Sequence, residues 1–153
     1  MTYDSRVDTH EHIHNVQRFL ATAIHKLQLR LLNHDQTKLR SPEVELFDLI
    51  TPRLKDLVYG SDEYKANLEE LGPALDHHYS HNSHHPEFYK EGIKGMNLID
   101  LLEMICDWQA AVLRQPSGDI YKSIEYNQER FGYSDDIKQI LTNTVSELTN
   151  GHG

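Results

Sequence analysis

Residues 96–114, MNLIDLLEMICDWQAAVLR, decide the fold class of this chain. Apolar side chains recur along them at the three- and four-residue spacing of a single helical face. These apolar positions are Leu98, Leu101, Leu102, Ile105, Trp108 and Val112. The pattern predicts an amphipathic helix over 96–114. Asp107 lies one position from the apolar stripe, where a buried carboxylate would need a partner.

The same helical periodicity extends to both sides of this segment, and no strand pattern accompanies it. Proline, glycine and capping residues divide the pattern into further helices. The predicted helices cover 7–32, 61–77, 118–131 and 135–148, and another starts at 41–43. Pro52 is expected to interrupt the helix that starts at 41–43, and Gly72-Pro73 to break the one over 61–77. The sequence therefore predicts an all-α bundle of about five to seven helices. A chain of 153 residues is the usual size of one domain, predicted here over 1–153.

Bulk composition excludes several classes of protein. No apolar run approaches the roughly 20 residues that a membrane-spanning helix needs. The first residues form neither a signal peptide nor a transit peptide, which favours the cytoplasm. A net charge of −9 argues against an extended nucleic-acid surface, because binding to phosphate backbones needs clustered cations. With Cys106 as the only cysteine, an intrachain disulfide is impossible, and a metal site must use histidine and carboxylate ligands.

Histidine is the unusual residue of the composition. The chain has 11, and ten of them lie in three short stretches, 10–14, 25–34 and 77–85. Because imidazole is the commonest metal ligand among side chains, this clustering favours a metal centre. Which of His77, His78, His81, His84 and His85 are ligands stays open, as does any part for His10 or His12.

The segment 33–38, NHDQTK, is the most informative motif, because His34 and Asp35 stand where the first long helix gives way to a loop. A histidine precedes the motif by twenty residues, and a histidine cluster and Asp107 follow it. This order, together with HDxxK, resembles the HD-domain superfamily of metal-dependent phosphohydrolases. The strings HDQTK, HHYSHNSHHPE and DLLEMICDW also look like an uncharacterised phage and bacterial group of HD-like proteins. The resemblance covers roughly 11–108 and implies an HD-domain-like bundle.

The resemblance also implies a set of metal ligands. The first ion would be held by His14, His34, Asp35 and Asp107, and Asp35 would bridge to a second ion where one exists. The later histidines would supply extra ligands, namely His78 with His84 or His85. The spacing from His78 to His84 is much shorter than in the cyclic-dinucleotide phosphodiesterases of the superfamily, and their GYP triplet is absent. A cyclic-dinucleotide substrate is therefore not implied.

A mixed histidine and aspartate set favours a divalent transition metal, Mn, Fe, Ni, Co or Zn, with Mg possible, in one or two copies. The expected reaction is attack of metal-activated water on a nucleotide or other small phosphoester, as a phosphomonoesterase or phosphodiesterase. Asp35 and Lys38 are the candidate catalytic residues. The candidate substrate-binding residues are Lys38, Asn82, Arg114 and Arg130.

Two other functions are compatible with the same residues. One is a diiron oxygenase on the HD scaffold, and the other is a catalytically inactive protein that binds a nucleotide or a host protein. The expected partners are a small phosphorylated substrate and, through exposed apolar helical faces, a second copy in a homodimer. No membrane partner is expected. The compartment would be the host cytoplasm if this is a phage protein.

Overall fold

The computed structural model of the chain describes residues 3–55, 57, 61–114 and 117–150. These residues form seven α-helices and three short 3-10 turns, with no strand among them. The helices are α1 (Arg6–Asn33), α2 (Glu43–Lys55), α3 (Asp62–Glu70), α4 (Gly72–His81), α5 (Leu98–Val112), α6 (Ile120–Phe131) and α7 (Asp135–Asn150). The predicted all-α fold class is confirmed.

The chain forms two compact units, Met1–His34 and Asp35–Gly153. The first unit contains α1, a helix of 28 residues that agrees with the predicted 7–32. The helix is capped at its C-terminal end by His34, whose backbone N–H donates to the carbonyl oxygen of Arg30 at 2.8 Å. No helix in the described ranges is long and apolar enough to cross a membrane.

In the second unit, one hydrophobic core joins α5, α6 and α7. The apolar stripe that predicted α5 supplies Ile105, which is fully buried together with Met104. From α6 comes Ile124, and α7 adds Leu141 and Val145. Burying these side chains against each other is what stabilises three helices that are each amphipathic. One consequence for the site is that α5, with Asp107 on it, has a fixed position in this unit.

A second, smaller core joins α2, α3 and α4 around Ile50, Leu71 and Ala74. The predicted interruption at Pro52 is wrong, because α2 continues through that proline to Lys55. Only the last turn of α2 follows Pro52, and the residue is exposed, so the proline removes one internal hydrogen bond without disturbing the packed face.

The predicted break at Gly72-Pro73 is confirmed, since α3 ends at Glu70 and α4 begins at Gly72. The predicted end of this helix at 77 is wrong, because the helix continues to His81. His77, His78 and His81 all lie within α4. The helix ends at His81 and is capped by Asn82, whose side-chain amide donates to the carbonyl oxygen of His78 at 2.8 Å and so occupies an acceptor at the helix end.

The loop between α4 and α5 carries His84 and His85, and it is anchored to the start of α5. Asn97 caps α5 in a capping box with Asp100, a carboxylate that is fully buried. The hydroxyl of Ser83 donates to Oδ1 of Asp100 at 2.8 Å, and the hydroxyl of Tyr89 donates to Oδ2 at 2.7 Å. Because hydrogen bonds to a buried charge are strong, they hold this loop in a defined conformation.

Candidate metal centre

Asp35 stands at the turn that opens the second unit, directly before the 3-10 turn Gln36–Leu39. Its backbone is left-handed, with φ of 56°, and no other described residue except glycine has a positive φ. Aspartate is one of the few residue types that tolerate this conformation. The ammonium group of Lys38 donates to Oδ2 of Asp35 at 2.6 Å, which leaves Oδ1 on the other side of the carboxylate.

Three histidines converge on that oxygen. Nε2 of His78 lies 3.2 Å from Oδ1 of Asp35, and Nε2 of His84 lies 3.4 Å from it. Nε2 of His85 is 2.9 Å from Nε2 of His78. One donor atom from each of the four residues falls within 4.8 Å of the others. We call His78, His84 and His85 the inner histidines.

The electrostatics of this cluster favour the metal-binding forms of its side chains. Burial raises the pKa of Asp35, but hydrogen bonds from His78, His84 and Lys38 outweigh it and hold that pKa far below its usual range. Burial and the neighbouring rings of His84 and His78 lower the pKa of His85 to about 3. Asp35 is therefore an anion and His85 a neutral imidazole at physiological pH, which are the protonation states that coordinate cations.

Two further carboxylates contact the cluster from outside. Nδ1 of His78 is hydrogen-bonded to Oε2 of Glu43 at 3.0 Å, and Nδ1 of His84 lies 3.2 Å from Oε1 of Glu103. A carboxylate accepts, so each contact is a hydrogen bond when the ring proton is on Nδ1. In a neutral ring of that tautomer the lone pair of Nε2 is available to a cation beside Asp35, as in metal sites where an outer carboxylate orients a histidine ligand.

The spacing of these donor atoms fits coordination of one ion. Ligand atoms held about 2.1 Å from a metal lie about 3.0 Å apart at a right angle and about 3.4 Å apart at the tetrahedral angle. Three of the six separations in the cluster, 2.9, 3.2 and 3.4 Å, fall at or next to these values, and the others are within 4.8 Å. A set of three imidazoles and one carboxylate suits Zn, Fe, Ni, Co or Mn better than Mg or Ca.

The structure brings together four of the seven predicted metal ligands, namely Asp35 and the three inner histidines. Asp107, on α5, is next to them, with a carboxylate oxygen within 4.8 Å of a ring nitrogen of His84. His14 lies within α1 and His34 ends that helix, so both belong to the first unit. Their part in metal binding stays a prediction from the sequence.

Of the residues predicted to bind substrate, Lys38 and Asn82 contact the cluster. Lys38 is bonded to Asp35, and its ammonium lies 5.5 Å from the centre of the Phe47 ring. Asn82 is buried, and its amide donates to the hydroxyl of Thr37 at 3.0 Å as well as to the carbonyl of His78. These contacts give Asn82 a structural task at the end of α4.

The two predicted arginines lie on α6 and after α5. Arg130 donates to Oε1 of Glu87 at 2.7 Å and lies over the ring of Phe131, 4.6 Å from its centre. Arg114 is exposed in the turn that follows α5. Binding of substrate by either arginine stays a prediction.

His77 and His81, which we call the outer histidines, have a different environment. Their rings stack with centres 4.0 Å apart. Nδ1–H of His77 donates to Oε1 of Glu43 at 2.7 Å, and Nδ1–H of His81 donates to the carbonyl oxygen of His77. They belong to the same histidine-rich stretch but are not among the residues that converge on Asp35.

Sequence reasoning missed Glu43 and Glu103 as contacts of the inner histidines. Glu103 precedes Asp107 by four residues, which places both on one face of an apolar helix. That spacing is a usable signal for a second acidic residue at the site. Glu43 offers no comparable signal, because an acidic residue in the first turn of a helix is explained by the helix dipole alone.

Comparison with known proteins adds a relationship but no activity. No curated protein and no solved structure matches the chain. A protein family matches it over residues 1–147, nearly the whole length, and is described as a family of unknown function. The chain therefore belongs to the family DUF5662.

Proposed function

We propose that this protein is a metal-dependent phosphohydrolase that acts on a nucleotide or another small phosphoester. The observation that carries the proposal is the convergence of Oδ1 of Asp35 with the Nε2 atoms of the inner histidines. Two buried imidazoles, a half-buried imidazole and a half-buried carboxylate are collected at one point, with outer carboxylates beside two of the rings. A metal ion would stabilise this arrangement.

Asp35, His78, His84 and His85 would hold the first ion. When bound, a divalent transition metal lowers the pKa of water and polarises a phosphoryl oxygen, which is the chemistry that phosphoester hydrolysis needs. Asp107 adds a carboxylate beside His84, and this fifth donor group supports one or two ions in the site.

Lys38 contributes a positive charge at the edge of the cluster. Its ammonium has three N–H donors, of which one is directed at Oδ2 of Asp35. The remaining donors suit a non-bridging phosphate oxygen held close to Asp35, so Lys38 would orient the substrate and neutralise part of its charge.

The overall charge of the chain makes the metal necessary for binding as well as for chemistry. A protein with a net charge of −9 repels a phosphorylated substrate at long range. The attraction must therefore come from the site itself, from the metal and Lys38. We expect the metal-free protein to bind phosphorylated ligands much more weakly than the metal-loaded protein.

The decisive experiment compares the wild-type protein with Asp35→Asn, which removes a charged ligand but keeps a residue type that adopts the left-handed backbone. His81→Gln, at an outer histidine, is the matched control. Metal content is measured by mass spectrometry after incubation with Mn, Co, Ni, Zn or Mg, and each form is tested on a panel of phosphomonoesters and phosphodiesters. We expect metal and turnover in the wild type and the control, and loss of both in Asp35→Asn.

The outcomes separate the metal site from the reaction. If the wild-type protein retains none of these ions even when they are supplied, the site and the proposed function are both wrong. If it binds metal but hydrolyses no phosphoester, only the hydrolase assignment is wrong. Oxygen consumption by the iron-loaded protein would then test the alternative of a diiron oxygenase.

A further inference from the structure

We infer that Glu43 is the buried counter-charge of the metal centre, a positioning residue that serves the bound ion at a cost to the metal-free fold. The inference rests on the metal site proposed above and assigns a role to a residue that does not itself reach Asp35. It is carried by the burial of Glu43 and by the identity of the groups bonded to it.

Glu43 is in the first turn of α2 and has no exposed surface. Its two oxygens divide between adjacent residues of α4. Oε1 accepts from Nδ1–H of His77 at 2.7 Å, and Oε2 accepts from Nδ1–H of His78 at 3.0 Å. The hydroxyl of Thr37 also donates to Oε2, at 3.1 Å. The carboxylate is thus fixed from three directions.

The groups bonded to this carboxylate are two imidazoles and a hydroxyl, none of which carries a permanent charge. A carboxylate transferred from water to a protein interior without a charged partner destabilises the folded state, even when it is hydrogen-bonded. Replacing a buried charged group together with its partners by apolar residues of similar volume is often neutral or stabilising, so the burial of a charge is weak evidence that it serves the fold. Glu43 therefore needs an explanation other than the stability of the metal-free protein.

A cation on the far side of the His78 ring supplies that explanation. Nε2 of His78 faces Asp35, while Nδ1–H faces Glu43, so the ring lies between the proposed ion and the buried carboxylate. A cation at Nε2 polarises the Nδ1–H bond and strengthens the hydrogen bond to Glu43. The carboxylate in turn makes the imidazole a better donor to the ion. The hydrogen bond from His77 holds the carboxylate in the position where it accepts from His78.

The test is the Glu43→Gln variant, which preserves shape and removes the charge. Glu129→Gln, at an exposed position on α6, is the matched control. Two quantities are measured at pH 8, where free imidazoles are neutral: the unfolding temperature of the metal-free protein in a chelator, and the dissociation constants for Zn²⁺ and Co²⁺ by calorimetry. We expect Glu43→Gln to bind both ions about 10- to 100-fold more weakly. Its metal-free form should unfold at the wild-type temperature or above it.

A purely structural role predicts the opposite change in stability. If metal-free Glu43→Gln unfolds at a lower temperature than the wild type, or fails to fold, the carboxylate serves the fold and the inference is wrong. Unchanged dissociation constants would overturn it as well. A wild-type protein that binds neither ion would instead overturn the metal site on which the inference rests, so the two failures are distinguishable.

Discussion

The inner and outer histidines come from one short stretch of sequence, yet they occupy opposite environments. His77 and His78 are neighbours on α4, but the side chain of His77 is 31% exposed and that of His78 only 1%. His81 is exposed as well, stacked on His77. The comparison shows that histidine content alone does not define a metal site in this chain.

The geometry of the helix explains the difference. Residues four apart lie on one face, so His77 and His81 share a side of α4, while His78 is rotated by about 100° toward the core. His84 and His85 follow the end of the helix, and the loop anchored at Asp100 returns them to His78. The inner set is therefore made by one helical face and one fixed loop.

The largest difference is expected between two variants, one that replaces an inner histidine and one that replaces an outer histidine. His84→Gln removes a buried imidazole nitrogen next to Asp35. Loss of a group that only orients a metal ligand typically weakens binding about 10- to 100-fold, so the Zn²⁺ affinity of this variant should fall by more than that. His81→Gln should leave the affinity within about twofold, since its ring is exposed and bonded to its own helix. Calorimetry on both variants measures this, and equal losses would erase the distinction between the two sets.

A smaller effect concerns the pH dependence of stability in the metal-free protein. The pKa of His85 is lowered to about 3 in the folded state, so between about pH 6.5 and 3 the unfolded chain binds a proton that the folded chain does not. Stability from this residue is complete above pH 6.5 and is lost on acidification. One such proton gives a slope of at most about 1.4 kcal/mol per pH unit.

His85→Gln should therefore show a flatter loss of stability between pH 7 and pH 4. The free energy of unfolding is obtained from urea titrations in the presence of a chelator. Asp35 does not affect the comparison, because a carboxyl group with a lowered pKa loses its contribution mainly near and below its usual value of 3.8, and it is present in both proteins. Parallel curves for the wild type and the variant would contradict the prediction.

The smallest effect distinguishes the serines beside the two sets. Ser83→Ala removes a hydrogen bond to the buried Asp100 under the inner histidines and should destabilise the protein by about 1 kcal/mol. Ser80 is exposed and donates to the carbonyl of His77, so Ser80→Ala should change stability by less than about 0.5 kcal/mol. Thermal unfolding compares the two. A larger loss in Ser80→Ala would mean that the loop is held by contacts other than Asp100.

Much of the fold could be predicted from periodicity and capping residues. The apolar stripe corresponds to α5, and the predicted helix start at 61 corresponds to an N-cap at Ser61, whose Oγ accepts from the backbone N–H of Tyr64. Pro52 and the end of α4 were misjudged for a common reason. Each depends on a detail of three-dimensional placement, an exposed face in one case and the amide of Asn82 in the other.

The candidate site was predictable where it depends on ligand chemistry. The histidine-rich stretch 77–85 could be proposed from its composition, and the resemblance to the HD-domain superfamily singled out Asp35, His78, His84 and His85 as ligands. The contact to Glu43 could not be predicted, because it joins the start of α2 to the middle of α4, 35 positions apart. Sequence spacing carries no information on such pairs until the packing of the two helices is known.

Position 35 also limits which amino acids evolution can place there. Its left-handed backbone favours glycine, asparagine and aspartate, while the proposed metal site calls for an anionic ligand at that point. Glycine and asparagine meet only the first demand, and glutamate meets only the second, since it has no such tolerance for the left-handed conformation. Of these four residue types only aspartate satisfies both, so one residue carries the shape of the turn and the charge of the proposed site together.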